Sequence, residues 1–123
     1  MIPTMAEYSL SKKERLTSKK HIELLFAKGK SIYKYPVKCM YLKEQEINVP
    51  VKVAVTVPKR IFKRAVDRNM LKRRLRESYR KHKNIISRHD EASGLILMLI
   101  YVSKETEDSS VIEKAVAHIL SQM

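Results

Sequence analysis

A chain of 123 residues, 44% of them hydrophobic, is long enough for one domain with a real core and too apolar for a wholly disordered basic protein. Its 26 Lys and Arg against 13 Asp and Glu give a formal charge of +13, which calls for an anionic partner, nucleic acid first among them. One cysteine, Cys39, excludes an intrachain disulfide framework, and with four scattered histidines it leaves too few ligands for a structural zinc site, so a reducing, cytoplasmic compartment is expected.

The longest apolar run, Leu95 to Val102, falls far short of the roughly 20 residues that span a bilayer, and Met1 to Leu10 has no signal pattern. The expectation is a soluble, unprocessed protein with no membrane partner, folded as one domain over residues 1–123, with a flexible segment over 1–14. Along the chain, Ser18 as N-cap, Ile22, Leu25 and Phe26 at helical spacing, and Gly29 as the stop predict a helix over 18–28. The alternation from Ser31 to Lys43 predicts one strand covered on both faces. Lys43 to Pro50 reads as a turn or hairpin loop. Val51, Val53, Val55 and Val57 then alternate with Lys52, Ala54 and Thr56, a strand that Pro58 ends.

From Arg64 to Arg88 there is no Pro or Gly, and the Arg, Lys, Leu and Glu content predicts a helix of several turns. After Gly94, Leu95 to Val102 reads as a buried central strand. Ser110 to Glu113 has capping-box form ahead of an apolar stripe of Val111, Ile112, Ala115, Val116, Ile119 and Leu120, which predicts a C-terminal helix. The order helix, strand, strand, helix, strand, helix specifies an α/β (α+β) two-layer sandwich, a small mixed sheet packed with helices.

The charge is concentrated. Residues 1–58 carry a net +6, residues 59–83 a net +10 and residues 84–123 a net −3. At 100° per residue from Leu71, the side chains Leu71, Leu75, Ser78, Tyr79 and His82 fall between about −20° and 80°, the stripe expected to be buried. Asn69, Lys72, Arg73, Arg76, Arg80 and Lys83 fall between about 100° and 200°, with Arg68 at the border. A merely solvated helix interleaves signs, whereas this arc carries no acid and offers guanidinium forks and ammonium groups suited to phosphates. The loop before it adds Lys59, Arg60, Lys63 and Arg64 at a strand exit, where a helix N-terminus also presents backbone donors.

The ten residues Arg68 to Glu77, Arg-Asn-Met-Leu-Lys-Arg-Arg-Leu-Arg-Glu, resemble the Arg-Asn-x-x-Lys-Arg-x-x-Arg-Glu signature of the protein subunit of bacterial ribonuclease P. Arg15-Leu16, a short helix ending near Phe26, Lys28-Gly29-Lys30-Ser31, Val51 to Lys59 and Ala65-Val66 follow in that family's order, so the resemblance covers roughly residues 12–120. Two departures stand out: the loop Ile61 to Arg64 is longer by one, and Ile22 stands where an aromatic is usual. The resemblance implies a left-handed crossover between parallel strands through the basic helix, an exception to the usual hand. It further implies that the signature helix binds a catalytic RNA subunit and that a cleft beside the first helix holds the 5′ leader of precursor tRNA. Magnesium ions held mainly by the RNA would carry out the hydrolysis, with no cofactor bound by the protein alone.

Single-stranded RNA is held by aromatic stacking inside a cationic rim. Phe26, Tyr33 and Tyr35 with Lys28, Lys30 and Lys34 supply that mixture, and Lys12, Lys13 and Arg15 add phosphate contacts from the N-terminal segment. A nuclease acting alone would need clustered carboxylates for metals or an acid–base pair. Glu44 and Glu46 lie in a loop, while Glu105, Glu107 and Asp108 precede a helix whose dipole suits acids. His21, His82, His89 and His118 are dispersed, and Cys39 reads as a core residue, so no catalytic residue is assigned. A helix-turn-helix module, the other rival, needs two helices joined by a short turn, but strands flank the basic helix here.

Overall fold

The computed structural model describes residues 19–43, 51–83 and 94–122. They form α1 (Lys19–Lys28), β1 (Lys30–Lys34), β2 (Val37–Lys43), β3 (Val51–Thr56), α2 (Ala65–His82), β4 (Leu95–Tyr101) and α3 (Ser109–Ser121). The four strands make one mixed sheet in the order β1-β2-β4-β3, with β1–β2 and β2–β4 antiparallel and β3–β4 parallel. β3, α2 and β4 thus form the parallel crossover, and the apolar run of β4 lies in the interior of the sheet, as its composition demands.

Three local expectations are corrected, and Gly29 stops α1 as expected. The stretch Ser31 to Lys43 is a hairpin of two strands, with Lys34 paired to Val37 across a turn at Tyr35-Pro36, whose peptide bond is cis. Pro36 has no N–H to give to a ladder, so a single strand cannot run through it. The segment after Lys43 does not close a hairpin either, because β4 separates β2 from β3; residues 44–50 themselves lie outside the described residues. α3 begins at Ser109 behind Asp108, whose carbonyl receives the N–H groups of Val111 and Ile112, so Ser110 sits inside the first turn and is not a cap. Gly29 ends α1 without a left-handed φ. Its requirement is close approach: a Cβ there would lie 2.3 Å from the Leu25 carbonyl oxygen and 3.2 Å from that of Tyr41. The expected cap of α1, Ser18, lies outside the described residues, as do residues 84–88 of the predicted basic helix.

The pleat divides the apolar residues between the two sheet faces. Val37, Cys39, Val53, Val57, Leu97, Leu99 and Tyr101 meet Leu71, Leu75 and Tyr79 of α2 and Ile112, Ala115, Val116, Ile119 and Leu120 of α3 in the main core. The opposite face carries a smaller cluster in which Leu25 and Ile22 of α1 pack with Ile96, Met98, Met40, Leu42, Ala54 and Ile100. On the main-core face α2 lies along β3, while α3 covers β1 and β2. Val111, expected in the buried stripe of α3, is exposed at its edge.

Cys39 is fully enclosed, and burial pushes its thiol up from an ordinary value of 9.0 to about 12. Near pH 8 that leaves on the order of one thiolate in 10⁴ molecules, against about one in ten for an unburied thiol. Iodoacetamide should therefore modify the folded protein about 10³-fold more slowly than the protein in denaturant, and rapid alkylation of the folded chain would contradict this burial.

Candidate nucleic-acid interface

α2 is bound to the domain on two sides. Leu71, Leu75, Ser78 and Tyr79 face the sheet and are buried, and the Ser78 hydroxyl donates to the Arg74 carbonyl at 2.8 Å. His82, the last member of the expected stripe, is half-buried at the helix end, 3.9 Å from Glu113. The flank at about −60° to −80° from Leu71 turns toward α3 and its preceding loop. There Arg74 Nη1 donates to the Glu107 carbonyl at 2.7 Å, and Lys81 Nζ stands 3.4 Å from the Glu113 carboxylate. The arc of Asn69, Lys72, Arg73, Arg76, Arg80 and Lys83 therefore turns away from α3, with Asn69, Arg73 and Arg76 exposed and Lys72, Arg80 and Lys83 half-buried.

The loop that carries Lys59, Arg60, Lys63 and Arg64 closes as a tight turn: the N–H groups of Ile61 and Phe62 both donate to the Pro58 carbonyl. Phe62 buries its ring edge-to-face on Tyr101, and Arg68 Nη1 donates to the carbonyls of Phe62 and Lys63 at 2.8 and 2.9 Å. Arg68 thus fastens the loop to the first turns of α2. All four loop cations are exposed, with Arg64 Nε 3.8 Å from Asp67. No side chain caps the start of α2.

The other sheet face carries a second group. Phe26 of α1 is 56% exposed and Tyr33 of β1 is 61% exposed, large rings with no core to fill. The register aligns Tyr33, Lys38, Ile100 and Thr56 in one cross-strand row on the α1 side. That row lies at the end of β3 from which the cationic loop departs. Lys38 and Thr56 were not singled out from sequence; the turn at Pro36 was the signal that would have paired Lys38 with Tyr33.

The residues expected to line one cleft separate in space. Lys30 pairs with Tyr41, three residues and about 10 Å along β1 from Tyr33, and shares its parity with Ile32 on the main-core side. Lys28 is exposed at that same far end, where α1 stops. Tyr35 is 47% exposed, but its hydroxyl lies 2.8 Å from Ser103 Oγ and donates to Glu107 Oε2 at 2.8 Å, which ties the ring to the segment before α3. Lys12, Lys13 and Arg15 lie outside the described residues. Among the described residues no three His, Cys, Asp or Glu side chains stand together where they could hold a metal ion, and no helix is long and apolar enough to cross a membrane.

Seven Lys and Arg against Asp67 and Glu77 on α2, with four more cations in the preceding loop, are brought together only when the helix is docked, so multivalent anions are expected to favour the folded form. Sulfate or pyrophosphate should raise the melting midpoint more than chloride at equal ionic strength, the gain following RT ln(1 + [L]/Kd), about 2.7 kcal/mol at 100 times Kd. Equal shifts from pyrophosphate and ionic-strength-matched chloride would mean screening alone, with no site.

The sequence matches the Ribonuclease P family model over residues 10–123. A ribonuclease P protein component from Porphyromonas gingivalis is 33% identical over 111 residues, spanning 88% of this chain and 81% of that one. Another from Chlorobaculum tepidum is 53% identical over 45 residues, 37% of this chain. The fold is shared with the ribonuclease P protein of Thermotoga maritima, TM-score 0.72 at 23% identity over 89% of this chain and 97% of that one. The Staphylococcus aureus protein gives a TM-score of 0.69 at 23% identity over 89% and 94% of the two chains. A family match over nearly the whole length, carried on this sheet and this cationic helix, places the chain in the ribonuclease P protein family.

Proposed function

We propose that this chain, as the protein subunit of ribonuclease P, binds the catalytic RNA through α2 and the loop before it and holds the 5′ leader of precursor tRNA on the α1 face of the sheet. The arc of Asn69, Lys72, Arg73, Arg76, Arg80 and Lys83, turned away from α3 and free of acids, is the observation that carries this reading. Guanidinium forks and ammonium groups on one helix face suit the phosphates of a folded RNA. The exposed rings of Phe26 and Tyr33, with Lys38 in the same row as Tyr33, suit a single strand by stacking beside a phosphate contact.

In this reading the protein supplies no catalytic residue. Its cations lower the repulsion between two large RNAs and fix the substrate's position, and magnesium held mainly by the RNA would supply the activation of the water that cleaves the phosphodiester. The buried, undissociated Cys39 thiol suits a reducing cytoplasm.

Reconstitution tests this directly. Protein with a bacterial ribonuclease P RNA should cleave precursor tRNA at magnesium concentrations where that RNA alone is poor, and RNA-free protein should not cleave at all. Turnover by RNA-free protein that is lost on carboxylate substitution would overturn the reading. Reversing charge in the arc, with Arg73→Glu and Arg76→Glu together, should weaken assembly with the catalytic RNA at least tenfold more than Lys114→Glu on the exposed side of α3, each good phosphate contact being worth about 1 kcal/mol or more. The double variant moves the net charge by four and Lys114→Glu by two, so a free-energy loss only twice that of Lys114→Glu, with both proteins folded by circular dichroism, would show that net charge alone matters.

A further inference from the structure

The elements with candidate RNA contacts meet at the carboxyl end of β4. Tyr101 is fully buried there, its ring 5.7 Å from that of Phe62 in the cationic loop. Its hydroxyl donates to the Glu105 carbonyl and accepts the Glu107 N–H at 2.9 Å, and Ser103 Oγ accepts the Glu105 N–H at 2.9 Å. Two outside elements grip the segment so folded, through three hydrogen bonds. Arg74 of α2 donates to the Glu107 carbonyl, Tyr35 from the β1–β2 tip donates to the Glu107 carboxylate, and the Val102 N–H donates to the Pro36 carbonyl at 2.9 Å.

Glu107 is thus held through its backbone by the cationic helix and through its side chain by the hairpin tip. Among the described residues β1 is an edge strand, paired only with β2, and Tyr33 lies two residues before Tyr35. The Tyr35 hydroxyl is a side-chain tether, two residues from Tyr33, that ties the tip of the hairpin to the segment before α3. A charge-assisted hydrogen bond of this kind is stronger than a neutral one and directional, so it holds position as well as proximity.

We propose that Tyr35 and Glu107 are positioning residues that fix the Tyr33 end of the hairpin relative to the cationic arc of α2, so that a leader on the sheet face is presented in register with RNA bound on the helix. The proposal rests on the function proposed above and goes beyond it by giving Tyr35 a role through its hydroxyl and by making Glu107, an acid that no phosphate would contact, a determinant of leader recognition. Pre-positioning of this kind lowers the ordering cost of binding without adding a contact to the RNA.

The test uses the reconstituted holoenzyme and two precursor tRNAs, one with a leader of about ten nucleotides and one with a single nucleotide, and reads the ratio of their dissociation constants. Tyr35→Phe keeps the ring and removes only the hydroxyl, with its bonds to Glu107 and Ser103, so it should cut the leader-dependent ratio about fivefold. Glu107→Ala should do the same, Glu107→Gln, which keeps an acceptor oxygen, should stay within about twofold of wild type, and the double variant Tyr35→Phe, Glu107→Ala should lose no more than either single change. Measurement well below each variant's melting midpoint separates positioning from stability. Wild-type ratios in both Tyr35→Phe and Glu107→Ala, or equal losses in Glu107→Gln and Glu107→Ala, would overturn the proposal while leaving the proposed function standing. A wild-type holoenzyme indifferent to leader length would overturn both.

Discussion

The docking of Leu71, Leu75 and Tyr79 against the sheet holds in place a helix whose charge works against it. Burying each of these side chains contributes roughly 1.5–3 kcal/mol, while α2 and the loop before it carry cations at close spacing that repel one another through solvent. The stripe also sets direction. With one side on the sheet and the Arg74 and Lys81 flank against α3 and its loop, the rest of the helix has to present Asn69, Arg73 and Arg76 outward. Apolar contacts on one side are what make an anion-binding surface of the other.

The sheet separates two kinds of chemistry. Its main-core face is sealed by α2 and α3, whereas α1 is a short helix that buries Leu25 and leaves Phe26 and Tyr33 in solvent. Parallel pairing of β3 with β4 brings the β3 exit, the cationic loop, the start of α2 and the Tyr33 row to one end of the sheet. The acids of the C-terminal third have structural duties: Glu113 stands 3.4 Å from Lys81, and Glu107 joins hairpin to helix. Arg68 shows the same division of labour within the signature itself, since one of its nitrogens serves the backbone of the loop that displays four other cations.

Much of this was legible in the sequence because it depends on near neighbours. The alternation Val51 to Val57, the apolar run of β4, the helical period of α2 with its one-sided charge, and the signature Arg68 to Glu77 are local patterns, and the structure keeps each of them. The hairpin at Pro36 was legible too, in the missing N–H of a proline inside an alternating run, but alternation read straight through the turn hides the change of parity that puts Tyr33 on the face of Lys38 and not of Val37. α3 is capped two residues earlier than the capping-box pattern places it, because serines and acids at 107–110 offer several cap candidates and the geometry of the preceding segment chooses among them.

What the sequence by itself determined is that a folded domain presents a cationic helix of the ribonuclease P kind, since periodicity and charge are properties of the chain taken a few residues at a time. Only the tertiary structure decided that β4 enters between β2 and β3, that Lys30 and Tyr33 lie apart while Lys38 joins Tyr33, and that Tyr35 reaches Glu107 some 72 positions away. Those outcomes depend on which strands pair and in what register. Pairing is selected by burying both faces of one shared central strand, a collective condition that no local window of sequence contains.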